Sequence, residues 1–171
     1  SDSLEEVSIA SSVAVQWKLA WGSHWQTDPL FSSSRMRLHN VDPELRRIDK
    51  VRKIADHPLP QRHLRVCWEN RTPSGNCSRC GKCVITRLML ADRGMLDRFT
   101  SLDGTATLAR DIDALRYDSH RTSLSEIIKL GNLAPDVRRA AEALLRRIAY
   151  AEGCRSEGDT AERQSQRGRG F

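Results

Sequence analysis

Three short runs, residues 7–11, 36–41 and 64–68, gather β-branched or large apolar side chains between polar or turn-forming residues. That pattern predicts buried strands. Between the second and third runs the period changes from two to about 3.6 residues. Leu45, Ile48, Val51, Ile54 and Ala55 fall on one side of a helical wheel, and Arg46, Asp49, Lys50 and Lys53 on the other. Asp42 is placed to cap this helix, Pro43 suits its first turn, Glu44 favours the positive end of the dipole, and Pro58 and Pro60 mark its exit. Strand, helix and strand in this order predict a βαβ unit, and so a parallel α/β sheet.

Beyond residue 80 the pattern is helical. Val84, Ile85, Leu88, Met89, Ala91, Met95 and Leu96 cover a broad arc, which predicts a helix buried on more than one side. Further helices are predicted over 105–116, over 124–130 behind a capping box formed by Ser123 and Glu126, and over 135–151 with Pro135 in the first turn. The last presents Val137, Ala140, Ala141, Leu144, Leu145 and Ile148 to a core and Arg138, Arg139, Glu142, Arg146 and Arg147 to solvent. The predicted organisation is an α/β part with a metal loop at 67–83 over residues 1–98, a helical extension over 99–152, and a disordered tail over 153–171.

Composition narrows the class. The 171 residues are 39% hydrophobic and 29% charged, with a mean hydropathy of −0.55, so neither a wholly disordered nor a membrane protein is expected. The acidic N-terminal stretch Asp2, Glu5 and Glu6 lacks the basic region of a secretory signal. A cytoplasmic protein is therefore expected, without a membrane partner. The absence of an initial Met suggests a processed form or a fragment. Net charge is +6, and it is local: residues 35–98 hold 15 Lys and Arg against 7 Asp and Glu. Such a concentration suits RNA, a phosphate-bearing substrate or compensation of buried thiolates. Trp17, Trp21, Trp25 and Trp68 offer stacking faces for bases, although at least two are expected in the core.

Four of the five cysteines, Cys67, Cys77, Cys80 and Cys83, fall within 17 positions, while Cys154 stands apart and reads as an unligated thiol. The spacing C-x9-C-x2-C-x2-C brings sulfurs toward one ion, because a two-residue gap lets the chain turn back on itself. Zinc is the expected metal. An iron–sulfur cluster is the alternative, since C-x2-C-x2-C matches the start of a ferredoxin run, but Cys83 is followed by Val-Ile-Thr-Arg instead of a fourth closely spaced Cys. With four protein ligands no position stays open for water, so the expected role is structural. Arg71, Arg79, Lys82 and Arg87 are the nearby cations available to offset the thiolate charge.

Two segments carry a family resemblance. Trp21-Gly-Ser-His24-Trp-Gln-Thr-Asp28-Pro-Leu-Phe-Ser-Ser33 precedes Leu64-Arg-Val-Cys67-Trp-Glu-Asn70 and Asn76-Cys77-Ser-Arg-Cys80-Gly-Lys-Cys83, with His39 and Arg46-Arg47-Ile-Asp-Lys50 between them. The order resembles the C-terminal half of PP-loop ATP pyrophosphatases (adenine nucleotide alpha-hydrolase-like, HUP-like fold), in the branch of 7-cyano-7-deazaguanine synthase. The resemblance spans about residues 7–98. It implies a parallel sheet with a zinc loop, the four cysteines as ligands, and an adenylation chemistry in which ATP with Mg activates a small-molecule carbonyl or carboxylate substrate. It further implies that His24, Asp28 and His39 line a substrate pocket and that Arg46, Arg47 and Lys50 meet phosphate. Read without the resemblance, His24 is equally a loop-capping residue, Asp28 before Pro29 a turn or helix cap, His39 a core residue of a strand, and the three cations a solvated helix face. The pyrophosphate-gripping Ser-Gly-Gly-x-Asp-Ser loop of the family is absent, because the sequence has no Gly-Gly pair. The expectation is a chain inactive alone: a degenerate relative, or one completed by a missing N-terminal half or by a partner subunit carrying the PP-loop. A zinc-knuckle RNA-binding or structural interaction module is the alternative.

Overall fold

The structure, a computed structural model, describes residues 5–11, 13–17, 23–69, 75–115 and 121–167, with side chains to residue 153. It is a mixed α/β chain that divides after residue 54 into two units. The sequence pattern instead places the division at 98. The cysteine loop thus belongs to the same unit as the C-terminal helices.

The first unit holds a two-stranded parallel sheet, β1 (Glu6–Ala10) beside β2 (Arg37–Val41), in a register that sets Val7 against Leu38 and Ile9 against Asn40. Side chains alternate across a strand. Val7, Ile9, Leu38 and Asn40 are half-buried on one face, while Glu6, Ser8, Arg37 and His39 are exposed on the other. Helix α1 (Arg47–Ala55) follows, burying Ile48 and Val51. It starts later than Asp42 because Asp42 takes a left-handed conformation, φ 51°, and its carbonyl closes a turn with Leu45 N. The first-turn donor is met instead by Asp49, whose carboxylate accepts from the Arg46 backbone N–H at 3.2 Å.

Residues 64–68 form no strand, contrary to expectation. Their backbone N–H groups at Val66 and Cys67 are taken by the Asn76 side chain and not by a neighbouring strand. Pro58 does end α1, yet it also opens α2 (Pro58–His63), where His57 Nδ1 caps Leu59 N at 3.3 Å.

The core of the second unit is helical. In α3 (Gly81–Asp92) every residue from Cys83 to Leu90 is buried, in line with the broad apolar arc. The helix stops before Met95 because Gly94, at φ 67°, adopts the left-handed conformation that closes it. Gly94 N bonds Ala91 O and Met95 N bonds Leu90 O, the two bonds of a Schellman end. Met95 and Leu96 reach the core from the short turn that follows. Helix α4 (Leu108–Ala114) buries Leu108 and Ile112, and α5 (Arg121–Leu130) buries Leu124 and Ile127. Ser123 lies inside α5, buried, so it does not cap that helix. Helix α6 (Pro135–Arg167) packs Val137, Ala140, Ala141, Leu144 and Ile148 inward, touching α4 and α5. It continues past residue 153, where the pattern predicts a disordered tail; the Arg, Glu, Ala and Gln of that segment are sound helix formers. Among the described residues no helix is long and apolar enough to cross a membrane.

Candidate metal centre

Two stretches of backbone deliver the cysteines. Cys67 comes from the extended segment after α2, and Cys77, Cys80 and Cys83 from the turn that becomes α3, with Cys80 as the N-cap. The four sulfurs all lie within 4.8 Å of one another, and Cys67 Sγ sits 3.9 Å from Cys80 Sγ. A tetrahedral ion with metal–sulfur bonds of about 2.3 Å holds its sulfurs about 3.8 Å apart. The donor set therefore fits one metal ion. Cys67, Cys80 and Cys83 are buried and Cys77 is half-buried, and none is in a disulfide. Burial pushes the Cys80 and Cys83 thiols up from their ordinary value, helped at Cys83 by its neighbour Cys80. Without metal the thiols hold their protons, and binding an ion must release them.

The turn has specific support. Ser78 occupies the left-handed region at φ 59°. Its carbonyl accepts from Arg87 Nη1 at 2.8 Å, and its hydroxyl accepts from Asp103 N at 2.9 Å. Cys80 N donates to Cys77 Sγ at 3.3 Å, an N–H that partly offsets charge on that sulfur. Cys67 is held by Asn76, whose Oδ1 accepts from Val66 N and Cys67 N at 2.9 and 3.1 Å. The Asn76 Nδ2 donates to Leu64 O and Ser101 O at 2.7 and 3.0 Å. One buried amide thereby aligns the two cysteine-bearing stretches. Gly75 beside it, at φ 94°, lets the backbone enter this turn under the Arg65 side chain.

Of the cations expected to offset the thiolates, Arg71 lies outside the described residues and Arg79 is exposed. Lys82 Nζ stands 5.7 Å from the ring centroid of Trp68. Arg87 is fully buried and pairs with Asp111 at 2.8 Å. Burial raises the Asp111 pKa, but hydrogen bonds from Arg87 and Thr107 and the charges of Arg87 and Arg110 outweigh it and leave the carboxyl below its ordinary value. Trp68 is 69% exposed, Trp25 is exposed and Trp17 half-buried, so the three described tryptophans are not core residues; Trp21 lies outside the described residues, as does the Cys154 side chain.

The remaining site residues belong to the first unit. Asp28, at the start of a 3-10 turn over Asp28–Phe31, is buried and accepts from His24 N at 3.0 Å, Ser23 Oγ at 2.9 Å and Asn40 Nδ2 at 2.5 Å. The Asn40 hydrogen bond leads these contacts in holding the Asp28 carboxyl below its ordinary value. His24 is half-buried, and its Nδ1 accepts from Gln26 N at 3.3 Å. His39 does not join them. It stands on the exposed face of β2, 3.3 Å from Glu6, and so is not a core residue. Asn40 takes its place, with an Oδ1 that is buried and has no hydrogen-bond partner among the described residues. Period-two alternation, which puts Asn40 with Leu38 and opposite His39, is the signal that identifies it. Arg46 grips Asp49 through Nε and Nη2 at 2.8 and 3.0 Å. Lys50 Nζ donates to Ser11 O at 2.7 Å, and its pKa is lowered chiefly by burial. Arg47 is half-buried and engaged. Arg46 and Lys50 thus make contacts within the unit.

Comparison of the chain with protein-family models, with curated proteins and with solved structures finds no match.

Proposed function

We propose that this protein binds one zinc ion at Cys67, Cys77, Cys80 and Cys83 and that the ion is structural. The convergence of four sulfurs within 4.8 Å carries the reading. Soft thiolates select zinc, copper(I) or iron–sulfur groups. A four-iron cluster spreads its ligands, one thiolate per iron, whereas sulfurs this close surround a single ion. The closed donor set leaves no coordination position for substrate or water.

The chain is further proposed to be the C-terminal part of an ATP-dependent adenylating enzyme of the PP-loop type, acting on a small carbonyl or carboxylate compound. Two features support this. One is the pair of sequence segments that resemble that family. The other is the sheet: parallel strands are ordinarily covered on both faces and flanked by further strands, yet β1 and β2 are the two strands among the described residues and one of their faces is exposed. Strands from elsewhere in the same polypeptide, or from a partner carrying the phosphate loop, would complete it. The test is elemental analysis of the purified protein, followed by pyrophosphate release from ATP–Mg with and without a polypeptide bearing the Ser-Gly-Gly-x-Asp-Ser segment. About one zinc per chain is expected, with pyrophosphate released only in the complete assembly. Release by the chain alone, or none in the assembly, defeats the enzyme reading.

A second reading rests on Trp68, exposed next to the ligand Cys67 and beside Lys82. A flat ring on a rigid knuckle with a cation nearby suits a stacked base of single-stranded RNA. Salt-sensitive binding of a fluorescent oligouridylate, lost in Trp68→Ala, would favour this reading over the enzyme.

A further inference from the structure

We propose that Arg87 is the positioning residue of the metal centre, acting by shape and not by charge; the proposal rests on the reading of the four cysteines as a metal site. Arg87 lies seven residues after Cys80 and four after Cys83 on α3. Positions spaced 0, 3 and 7 share one helix face, and helical side chains lean toward the N-terminus. The guanidinium thus extends back toward the cysteine turn at the start of the helix.

All five of its N–H groups are spent there. Nε donates to Asp103 O, Nη1 to Ser78 O and Asp111 Oδ2, and Nη2 to Gly104 O and Thr107 Oγ1, each at 2.8 Å. A guanidinium has no sixth donor to offer a thiolate. Its charge is already met by the Asp111 carboxylate. What remains is geometry. The Ser78 carbonyl sits between Cys77 and Cys80, at the one non-glycine residue of the turn with a positive φ. A non-glycine residue in the left-handed region is intrinsically disfavoured, so the turn relaxes unless something holds it. Arg87 holds the carbonyl, and Asp103 N holds the hydroxyl. The knuckle is consequently set for the ion by hydrogen bonds that need no ion, and binding avoids the cost of ordering it.

The experiment compares wild type, Arg87→Lys, Arg87→Met and the core variant Leu144→Ala. Zinc affinity is read by competition with a chromophoric chelator, and site geometry by the visible spectrum of the cobalt(II) form. Unfolding of each metal-free protein is measured in parallel. Loss of a residue that orients ligands typically costs 10- to 100-fold in metal affinity, so both Arg87 variants are expected to bind zinc about 10- to 100-fold more weakly, with altered cobalt bands. Leu144→Ala, whose side chain is fully buried in α6, is expected to lose stability while keeping wild-type affinity and spectrum. Wild-type affinity in the Arg87 variants overturns the proposal, as does an equal loss in Leu144→Ala at matched stability. If Arg87→Met does not fold, Arg87→Lys decides. Failure of the wild type to bind zinc or cobalt overturns the metal reading itself, and is distinguishable because it shows before any variant is compared.

Discussion

Replacement of Asn76 by Ala tests whether a single amide aligns the cysteine-bearing stretches. Asn76 is 6% exposed and makes four hydrogen bonds between 2.7 and 3.1 Å. Truncation leaves the N–H groups of Val66 and Cys67 and the carbonyl of Ser101 without this partner, while Leu64 O keeps the Ser101 hydroxyl at 2.8 Å. An unsatisfied buried group costs about 1–3 kcal/mol. Taking about 1 kcal/mol for each of the groups left behind, since water reaches some of them, gives a loss of about 3 kcal/mol. That is a large share of the roughly 5–15 kcal/mol of a typical domain. Urea unfolding of the zinc-saturated protein, followed by circular dichroism, measures it. Asn76→Asp keeps the size but turns acceptors toward two carbonyls, and is expected to be at least as damaging. Zinc affinity should fall in both, because Cys67 loses its alignment with the other three ligands. A loss under about 1 kcal/mol in Asn76→Ala, well below the orphaned-group range, would refute the reasoning.

Cys80→Ser should abolish stoichiometric zinc and lower thermal stability, both measured on the purified protein, because the hydroxyl is a poor replacement for a buried thiolate; a folded variant with full zinc content would contradict the assignment. Asp111 has a depressed carboxyl pKa, so its contribution is present above the ordinary value of 3.8 and is lost as pH falls through the folded value. An acid titration of stability should therefore show a loss below that value that is reduced in Asp111→Asn, which starts less stable at neutral pH. Zinc release on acidification is a separate event, since each thiolate freed takes up a proton, and a zinc-sensitive dye reads it directly. Gly94→Ala places a Cβ in the left-handed conformation with open space around it, so thermal unfolding should show a loss of about 1 kcal/mol from backbone strain alone.

Periodicity located the helices where the core depends on them. The arc from Val84 to Met89 and the face from Val137 to Ile148 are both buried, because a helix with an apolar face has one stable way to lie. Ends were less legible. Asp42 and Ser123 both carry the side chains of helix caps, but one adopts a left-handed turn ahead of its helix and the other is drawn into the helix core. Caps compete with turns for the same short polar side chains, and tertiary contacts decide between them. The run at 64–68 shows the same limit in strands. Its apolar residues are real, but hydrogen-bonding groups that a strand would offer a neighbour are consumed by Asn76, ten residues away.

The four-cysteine cluster was legible because its chemistry is written in spacing, whereas its support is written in contacts. Nothing local distinguishes Arg87 from the other basic residues near the cysteines; only the approach of the segment from Asp103 to Asp111 turns it from a candidate counter-charge into a clamp. This has a consequence for the electrostatics of four thiolates. With Arg87 neutralised by Asp111, backbone N–H donors, such as that of Cys80 toward Cys77, and the start of α3 are among the groups that would moderate the charge of a metal-bound cluster. The positive end of that helix favours negative charge. A fold that supplies this compensation through its backbone can spend its cations elsewhere: Arg79 is exposed, and half-buried Lys82 lies beside the Trp68 ring.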